Sequence, residues 1–191
     1  MENKTWIIAK EFDFCYGHRV WSQQLIEGYS TDTCLKCRHL HGHQGKIIVK
    51  LQAEKLENGM VTDFKHLGWF KTWLDDVLDH KFIMDINDPL LDHEFPEIAK
   101  LKTAKIMKEY LTYIPGDGYW IVADELLQKL SPVIREKYEG MVFSNFVPTS
   151  ENLSEWLFKI VKTKMEKINI KTHSVVLYET PKSSSTYMCY E

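Results

Sequence analysis

The sequence predicts an α+β fold in which an antiparallel β-sheet carries two helices on one face, with a large, mainly helical insertion at about residues 85–144. Two segments near the N-terminus alternate apolar and polar residues, as strands do, and two others repeat apolar residues at helical spacing. The order is strand–strand–helix, insertion, helix–strand–strand. This order is typical of an α+β fold, and a chain of 191 residues predicts one domain.

The first two strands are predicted over Trp6–Tyr16 and Gly45–Glu54. Apolar side chains occupy alternate positions in each: Phe12, Phe14 and Tyr16 in the first, and Ile47, Val49, Leu51 and Ala53 in the second. Because successive side chains of a strand point to opposite faces, each set lies on one face of the sheet.

The first helix is predicted to follow Asp63, a suitable N-cap residue, and to end near Asp79-His80. The second begins after Pro148-Thr149-Ser150. Glu151 lies in its first turn, where the helix dipole stabilises an acidic side chain. Its apolar stripe comprises Leu153, Trp156, Leu157, Ile160, Val161, Met165 and Ile168. Strands are predicted over Ser174–Glu179 and around Thr186–Tyr190. Between the helices, the insertion carries candidate helices at Glu97–Tyr110 and Asp124–Tyr138.

The composition is that of a soluble globular protein, with 44% hydrophobic and 27% charged residues. A net charge of −3 argues against a broad nucleic-acid-binding surface. The N-terminus does not resemble a secretory signal, and no apolar run approaches the roughly 20 residues that span a bilayer. Four unevenly spaced cysteines do not form a disulfide framework. We therefore expect a cytoplasmic protein that binds neither membrane nor nucleic acid.

The most informative motif is Cys37-Arg38-His39-Leu40-His41-Gly42-His43 at the start of the second strand. In an extended chain, His41 and His43 point to the same side. A catalytic zinc needs three protein ligands and one open position, and His18 at the end of the first strand is the candidate third ligand. Cys37 would then be a reactive thiol beside the metal. Three unrelated histidines with local hydrogen bonds are the alternative, which the His-Gly-His spacing disfavours.

A second interpretation uses the same segment as a structural zinc site. Cys34, Cys37, His41 and His43 supply two thiols and two imidazoles, enough for a closed four-ligand site. This arrangement would make the protein a zinc-stapled binding module and would leave His18 unexplained. A site of histidines alone better suits a zinc ion that acts as a Lewis acid.

Two further sites could carry polar chemistry. In Asp79-His80, a carboxylate beside an imidazole can assist proton transfer, although a histidine at a helix C-terminus is also simply stabilising. Glu179 ends the strand after the second helix, where an inward carboxylate could bind paired N–H donors such as a pterin or guanine edge. A solvent-exposed strand-end glutamate is the alternative.

Six ordered motifs together resemble the 6-pyruvoyltetrahydropterin and 6-carboxytetrahydropterin synthase family. They are Phe14-x3-His18-Arg19, Cys37-x3-His41-Gly42-His43, Gly59-Met60-Val61-x-Asp63-Phe64, Leu78-Asp79-His80, Pro148-Thr149-x-Glu151-Asn152 and Glu179-Thr180. The resemblance spans the chain except the insertion. It implies one domain over residues 1–191 with a tetrahydrobiopterin-synthase-type fold, assembled as a homo-oligomer, a hexamer of two trimers with active sites at subunit interfaces.

The same resemblance assigns roles to the candidate residues. It implies that Zn²⁺ is held by His18, His41 and His43, with 7,8-dihydroneopterin triphosphate as the substrate. Cys37 would be the proton-abstracting base with Asp79 and His80 as its relay, and Glu179 would bind the pterin ring. The three-residue gap between Cys37 and His41 is similar to that of the carboxy-forming enzymes, which release acetaldehyde and triphosphate and supply queuosine and other 7-deazaguanine pathways. The pyruvoyl-forming reaction is the alternative.

Overall fold

A computed structural model describes residues 4–99 and 110–188. By contacts the chain divides into two units. The first takes the described residues within Met1–Cys15, His43–Asp79 and Ser150–Glu191, and the second takes those within Tyr16–Gly42 and His80–Thr149. The first two strands each cross a boundary between the units. One boundary falls after Cys15 and the other after Gly42, so each strand has residues in both units.

The first unit contains the predicted sheet and its two helices. The elements are β1 (Trp6–His18, of which the N-terminal part belongs here), β2 (His41–Ala53), α1 (Gly68–Val77), α6 (Ser150–Met165), β7 (Lys171–Thr180) and β8 (Ser183–Tyr187). β2 lies between β1 and β7, and β7 pairs with β8. The β2–β7 and β7–β8 pairs are antiparallel, as predicted.

Alternating side chains of β2 form the centre of this unit's core. Ile47, Val49 and Leu51 are fully buried, which confirms the face predicted from the sequence. Burial of such a side chain stabilises a fold by roughly 1.5–3 kcal/mol. In the same unit, aromatic residues of β1 and the helices form edge-to-face contacts: Phe12–Phe70 with centroids 5.1 Å apart, and Trp73–Trp156 with centroids 5.8 Å apart.

Both helices begin close to their predicted start points. Asp63 accepts a hydrogen bond from the Lys65 N–H, 2.7 Å away, and caps a short 3₁₀ turn, Phe64–Leu67, that leads into α1. α6 begins at Ser150 and buries the predicted stripe as far as Met165. Ile168 is 47% exposed and lies in a 3₁₀ turn beyond the helix, so its assignment to the stripe was wrong.

The second unit has a mixed sheet and a core of its own. Its elements are β3 (Lys81–Asp85), α2 (Leu91–Glu94), α3 (Pro96–Ala99), β4 (Leu111–Ile114), β5 (Tyr119–Val122), α4 (Asp124–Leu127), α5 (Pro132–Glu139) and β6 (Met141–Ser144). The strand order is β4-β5-β6-β3-β1, and the β1–β3 and β3–β6 pairs are parallel. Buried residues include Phe95, Tyr138 and Phe143.

The mainly helical character predicted for the insertion at about residues 85–144 is not confirmed. Strands β4, β5 and β6 lie within it and join the sheet beside β3. The helix predicted over Asp124–Tyr138 is two shorter helices, α4 and α5, and Pro132 occupies the first turn of the second. Proline favours that position because its missing N–H has no intrahelical partner there. Most of the helix predicted over Glu97–Tyr110 lies outside the described residues.

A transmembrane helix is not found in the part of the chain that the structure describes. None of its helices combines the length and the apolar character that crossing a bilayer requires.

Candidate metal centre

His41 and His43 stand at the start of β2, separated by Gly42 as the sequence motif predicts. A Cβ atom on Gly42 would lie 3.0 Å from the carbonyl oxygen of Tyr16, closer than side-chain carbons normally approach backbone. The absence of a side chain therefore allows β2 to lie close to β1 at this point. Both imidazoles are half-buried.

His18 ends β1 and is completely buried. Its Nδ1 lies 2.6 Å from the Pro148 carbonyl oxygen, and because a carbonyl only accepts, Nδ1 carries the proton. The Nδ1 of His41 likewise donates to the His39 carbonyl, 2.8 Å away. In both rings Nε2 is thereby the nitrogen with the lone pair. A carbonyl that fixes the tautomer in this way is typical of metal-binding histidines.

The structure brings the three predicted metal ligands together. One ring nitrogen from each of His18, His41 and His43 lies within 4.8 Å of the others. The rings of His18 and His41 have centroids 4.5 Å apart at an interplanar angle of 50°. Three neutral imidazoles are a donor set that suits zinc and leaves a coordination position open. The triad is therefore compatible with zinc.

Neither Cys34 nor Cys37 belongs to a metal-binding group among the described residues, where the histidine triad is the group of three or more candidate ligands found. Both thiols are free. This geometry favours the histidine site over the four-ligand staple that the sequence also allowed.

Glu179 lies beside His43. Its Oε1 is 3.5 Å from Nε2 of His43, and both side chains are half-buried. The register of β7 against β8 shifts between Tyr178 and Thr180, so Glu179 occupies a bulge. Bulges re-aim a side chain relative to regular strand alternation and are frequent beside functional sites. The strand-end carboxylate is thus directed to His43 rather than to open solvent.

Cys37 lies in a short 3₁₀ helix, Lys36–Arg38, and is half-exposed. Its carbonyl accepts a hydrogen bond of 2.6 Å from the Val20 N–H, two residues after His18. Its own N–H donates to Oε1 of Gln23, 3.0 Å away. These two bonds place the main chain of Cys37 beside the segment that follows His18.

Asp79 and His80 lie at the end of α1. The Asp79 carboxylate accepts a 2.7 Å hydrogen bond from the Cys15 N–H of β1. His80 is exposed and has a left-handed backbone conformation, with φ of 60°, as chain-reversing residues after helices often do. These contacts give Asp79 a structural role, and the relay assigned to the pair stays a prediction.

A buried acidic pair follows β3 in the second unit. Asp85 and Asp88 are 3% and 1% exposed. Arg19 Nε lies 3.0 Å from Asp88 Oδ2, and the Trp21 indole N–H donates to Asp85 Oδ2 at 2.9 Å. The pKa of the Asp88 carboxyl is raised above its ordinary value, chiefly by burial. The N–H of Leu90 and the charge of Arg19 act in the opposite direction but do not cancel that effect.

Sequence reasoning missed several of these partners. The carbonyls of His39 and Pro148 orient two histidines of the triad, yet any residue type supplies a carbonyl, so no side-chain pattern identifies them. Gln23 and the acidic pair are far in sequence from the residues they contact. Pro148 alone carried a signal, since it opens one of the motifs noted above.

The fold and the triad define an α+β protein with a three-histidine metal-site geometry. Residues 7–189 match the model of the family described as 6-pyruvoyl tetrahydropterin synthase. The chain belongs to the 6-pyruvoyl tetrahydropterin synthase family, as the sequence motifs predicted.

Relatives agree with this assignment. A protein of Aquifex aeolicus named 6-carboxy-5,6,7,8-tetrahydropterin synthase is 30% identical over 194 residues, covering 95% of this chain and 97% of the relative. Among solved structures, the uncharacterized protein WS1659 from Wolinella succinogenes has a TM-score of 0.89 and 48% identity, with 97% of this chain and 98% of that one covered. The Caenorhabditis elegans 6-pyruvoyl tetrahydropterin synthase, at 22% identity and a TM-score of 0.54, covers 100% of this chain and 99% of its own, and shows the shared fold.

Proposed function

We propose that this protein is a zinc-dependent 6-carboxy-5,6,7,8-tetrahydropterin synthase. The reaction converts 7,8-dihydroneopterin triphosphate and water to 6-carboxytetrahydropterin, acetaldehyde and triphosphate. The observation that carries the proposal is the cluster of His18, His41 and His43 with Glu179 beside it. The name of the Aquifex aeolicus relative, matched over nearly its whole length, supports the carboxy-forming reaction.

Each histidine of the triad offers one neutral ring nitrogen to the metal. His18 and His41 are oriented for this by the carbonyls of Pro148 and His39. A bound zinc ion supplies Lewis-acid chemistry that acidifies the hydroxyl and C–H groups of the substrate side chain. The complete burial of His18 excludes water from one side of the site.

Cys37 is the proposed base that removes a proton from the substrate side chain. The thiolate is the reactive form of a cysteine, and partial exposure lets a substrate reach it. Asp79 and His80 are the proposed partners in that proton transfer. The hydrogen bond between Asp79 and Cys15 fixes the carboxylate, and the exposure of His80 allows exchange of protons with solvent.

Glu179 is the proposed ligand of the pterin ring. A carboxylate has two acceptor oxygens and matches two parallel N–H donors, as a pterin presents along one edge. The half-buried position of Glu179 strengthens such bonds by partly excluding competing water.

The first experiment incubates the zinc-loaded protein with 7,8-dihydroneopterin triphosphate and measures acetaldehyde and pterin products together. Acetaldehyde with 6-carboxytetrahydropterin supports the proposal. A product of 6-pyruvoyltetrahydropterin without acetaldehyde would replace it with the pyruvoyl-forming reaction. If the zinc-loaded protein forms neither product, both enzymatic assignments are rejected.

Cysteine variants separate the enzyme from a zinc-stapled binding module. Cys34→Ala and Cys37→Ala are both expected to keep one zinc per chain, and Cys37→Ala alone is expected to lose turnover. Loss of zinc in both variants, with zinc retained in His18→Ala, would support the staple of Cys34, Cys37, His41 and His43.

Three further properties belong to the same proposal. We infer that residues 1–191 act as one functional domain, because the family model spans both units. We also infer a homo-oligomer, a hexamer of two trimers with sites at subunit interfaces, and a cytoplasmic role in queuosine or related 7-deazaguanine synthesis. Light scattering tests the oligomer.

A further inference from the structure

The segment Arg19–Gln23 follows the buried His18 and contacts the main chain of Cys37 twice. The Val20 N–H donates to the Cys37 carbonyl at 2.6 Å, and the Gln23 side-chain carbonyl accepts the Cys37 N–H at 3.0 Å. Both main-chain hydrogen-bonding groups of Cys37 are therefore satisfied by this one segment.

The bond from Gln23 replaces one that the local helix cannot supply. N–H groups at the start of a helix have no intrahelical acceptor. In the turn around Cys37, the Lys36 N–H donates to the Cys34 carbonyl and the Arg38 N–H donates to the Leu35 carbonyl. The residue at the N-cap, Leu35, provides no side-chain acceptor. The Cys37 N–H lies between those two donors and donates to the side-chain carbonyl oxygen of Gln23.

The segment is itself anchored on buried groups. Arg19 forms an ion pair with Asp88, and the Trp21 indole donates to Asp85. Asp85 also accepts hydrogen bonds from the main-chain and side-chain nitrogens of Asn87, at 2.9 and 3.0 Å. Because both carboxylates are almost fully buried, these anchors are less exposed to competing water than surface ion pairs are.

We propose that Gln23 is a positioning residue that holds Cys37 in place for proton transfer, with Trp21 and Asp85 fixing the segment from which Gln23 extends. This inference rests on the proposed function, which gives the Cys37 thiol its role as a base. Positioning matters because a displacement of about 1 Å at a reacting group can cost about 100-fold in rate.

The direct test is hydrogen–deuterium exchange resolved to the Cys37 amide in the zinc-loaded full chain. Gln23→Ala removes the acceptor of the Cys37 N–H. We expect the Cys37 amide to exchange about tenfold faster, because loss of this hydrogen bond lowers its protection. Gln23→Glu keeps an acceptor oxygen and is expected to restore protection. Gln24→Ala, at the exposed neighbouring position, is the matched control and is expected to match the wild type. Unchanged exchange in Gln23→Ala would overturn the proposal.

Turnover supplies the second readout. Gln23→Ala is expected to lower kcat about tenfold and to change KM by less than about twofold, since a misplaced base affects the chemical step more than binding. Faster exchange without any fall in kcat would reject the positioning role. If the wild-type protein forms neither product, the proposed function fails. The exchange measurement still decides whether Gln23 holds Cys37 in place.

Trp21→Phe tests the anchor and also serves if Gln23→Ala does not fold. Phenylalanine retains an aromatic ring but has no N–H to donate to Asp85. We expect faster exchange at the Cys37 amide, by about threefold or more, because the segment loses a fixed end. Exchange equal to that of the wild type would remove Asp85 and Trp21 from the proposal.

Discussion

Oε1 of Glu179 lies 3.5 Å from Nε2 of His43, so the proposed pterin ligand adjoins a proposed metal ligand. The two side chains come from β7 and β2, which are neighbouring strands of the first unit. A substrate that contacts both would have its ring and its reacting side chain held at adjacent points.

Glu179→Gln is expected to lower kcat/KM about 10–100-fold, because hydrogen bonds to a charged group are worth roughly 1.5–3 kcal/mol and glutamine offers only one neutral acceptor. Zinc content is expected to stay at one ion per chain, since the three histidines are intact. Steady-state kinetics and metal analysis measure the two effects. Glu155→Gln, which changes an exposed ion pair with Lys159 on α6, is the control. Equal kinetics in both variants would contradict the role of Glu179.

His41→Ala is expected to abolish stoichiometric zinc binding and turnover, because two remaining imidazoles hold zinc far more weakly than three. His39→Ala is the matched control: His39 orients His41 through its main-chain carbonyl, which the substitution keeps. Atomic emission after dialysis measures zinc in both. A His41→Ala protein that retains one zinc per chain would show that the metal binds elsewhere.

Gly42→Ala is expected to lower the free energy of unfolding by about 1–3 kcal/mol and to weaken zinc binding, because the new methyl group would press on the Tyr16 carbonyl between the two histidines. Gly68→Ala, in the first turn of α1 with open space around its Cβ position, is expected to be neutral or stabilising by up to about 1 kcal/mol. Urea denaturation compares them. Equal stabilities would mean that the close approach of β2 to β1 is not needed.

Tyr138→Phe is expected to destabilise the second unit by about 1–2 kcal/mol. The buried hydroxyl donates to Oε2 of Glu97, and burial raises its pKa well above the ordinary value of tyrosine. A raised pKa keeps the hydroxyl protonated below the ordinary titration of tyrosine, so the destabilisation should be constant from about pH 6 to about pH 9. Denaturation at several pH values tests this.

The control for Tyr138 is Tyr113→Phe, since the side chain of Tyr113 is 48% exposed. We expect this variant to differ from the wild type by less than about 0.5 kcal/mol. A Tyr138→Phe protein as stable as the control would show that the hydrogen bond to Glu97 contributes nothing net.

The sheet and helices of the first unit were predictable because burial there follows a regular period. Ile47, Val49 and Leu51 lie on the predicted face of β2. The second unit was harder: β4, β5 and β6 are four residues each, too short to establish a period of two, and helix-like apolar spacing continued across the break at Pro132.

The histidine cluster could be predicted because His41 and His43 are two residues apart on one strand, so local geometry alone places them together. The position of Glu179 beside His43 could be inferred only from resemblance. Neither strand geometry nor the resemblance predicts the hydrogen-bond partners of Cys37, because the bond to Gln23 depends on how two irregular segments pack.

The bulge at Glu179 has a consequence for how this family member can diverge. The orientation of Val175 and Leu177 is fixed by burial in the core, and in a regular strand that constraint would extend to every later residue of β7. The irregular register between Tyr178 and Thr180 interrupts it. Substitutions at Glu179, the proposed pterin ligand, are therefore expected to change what the site accepts without disturbing the packing of Val175 and Leu177. Ligand preference and stability could then evolve separately at this strand end.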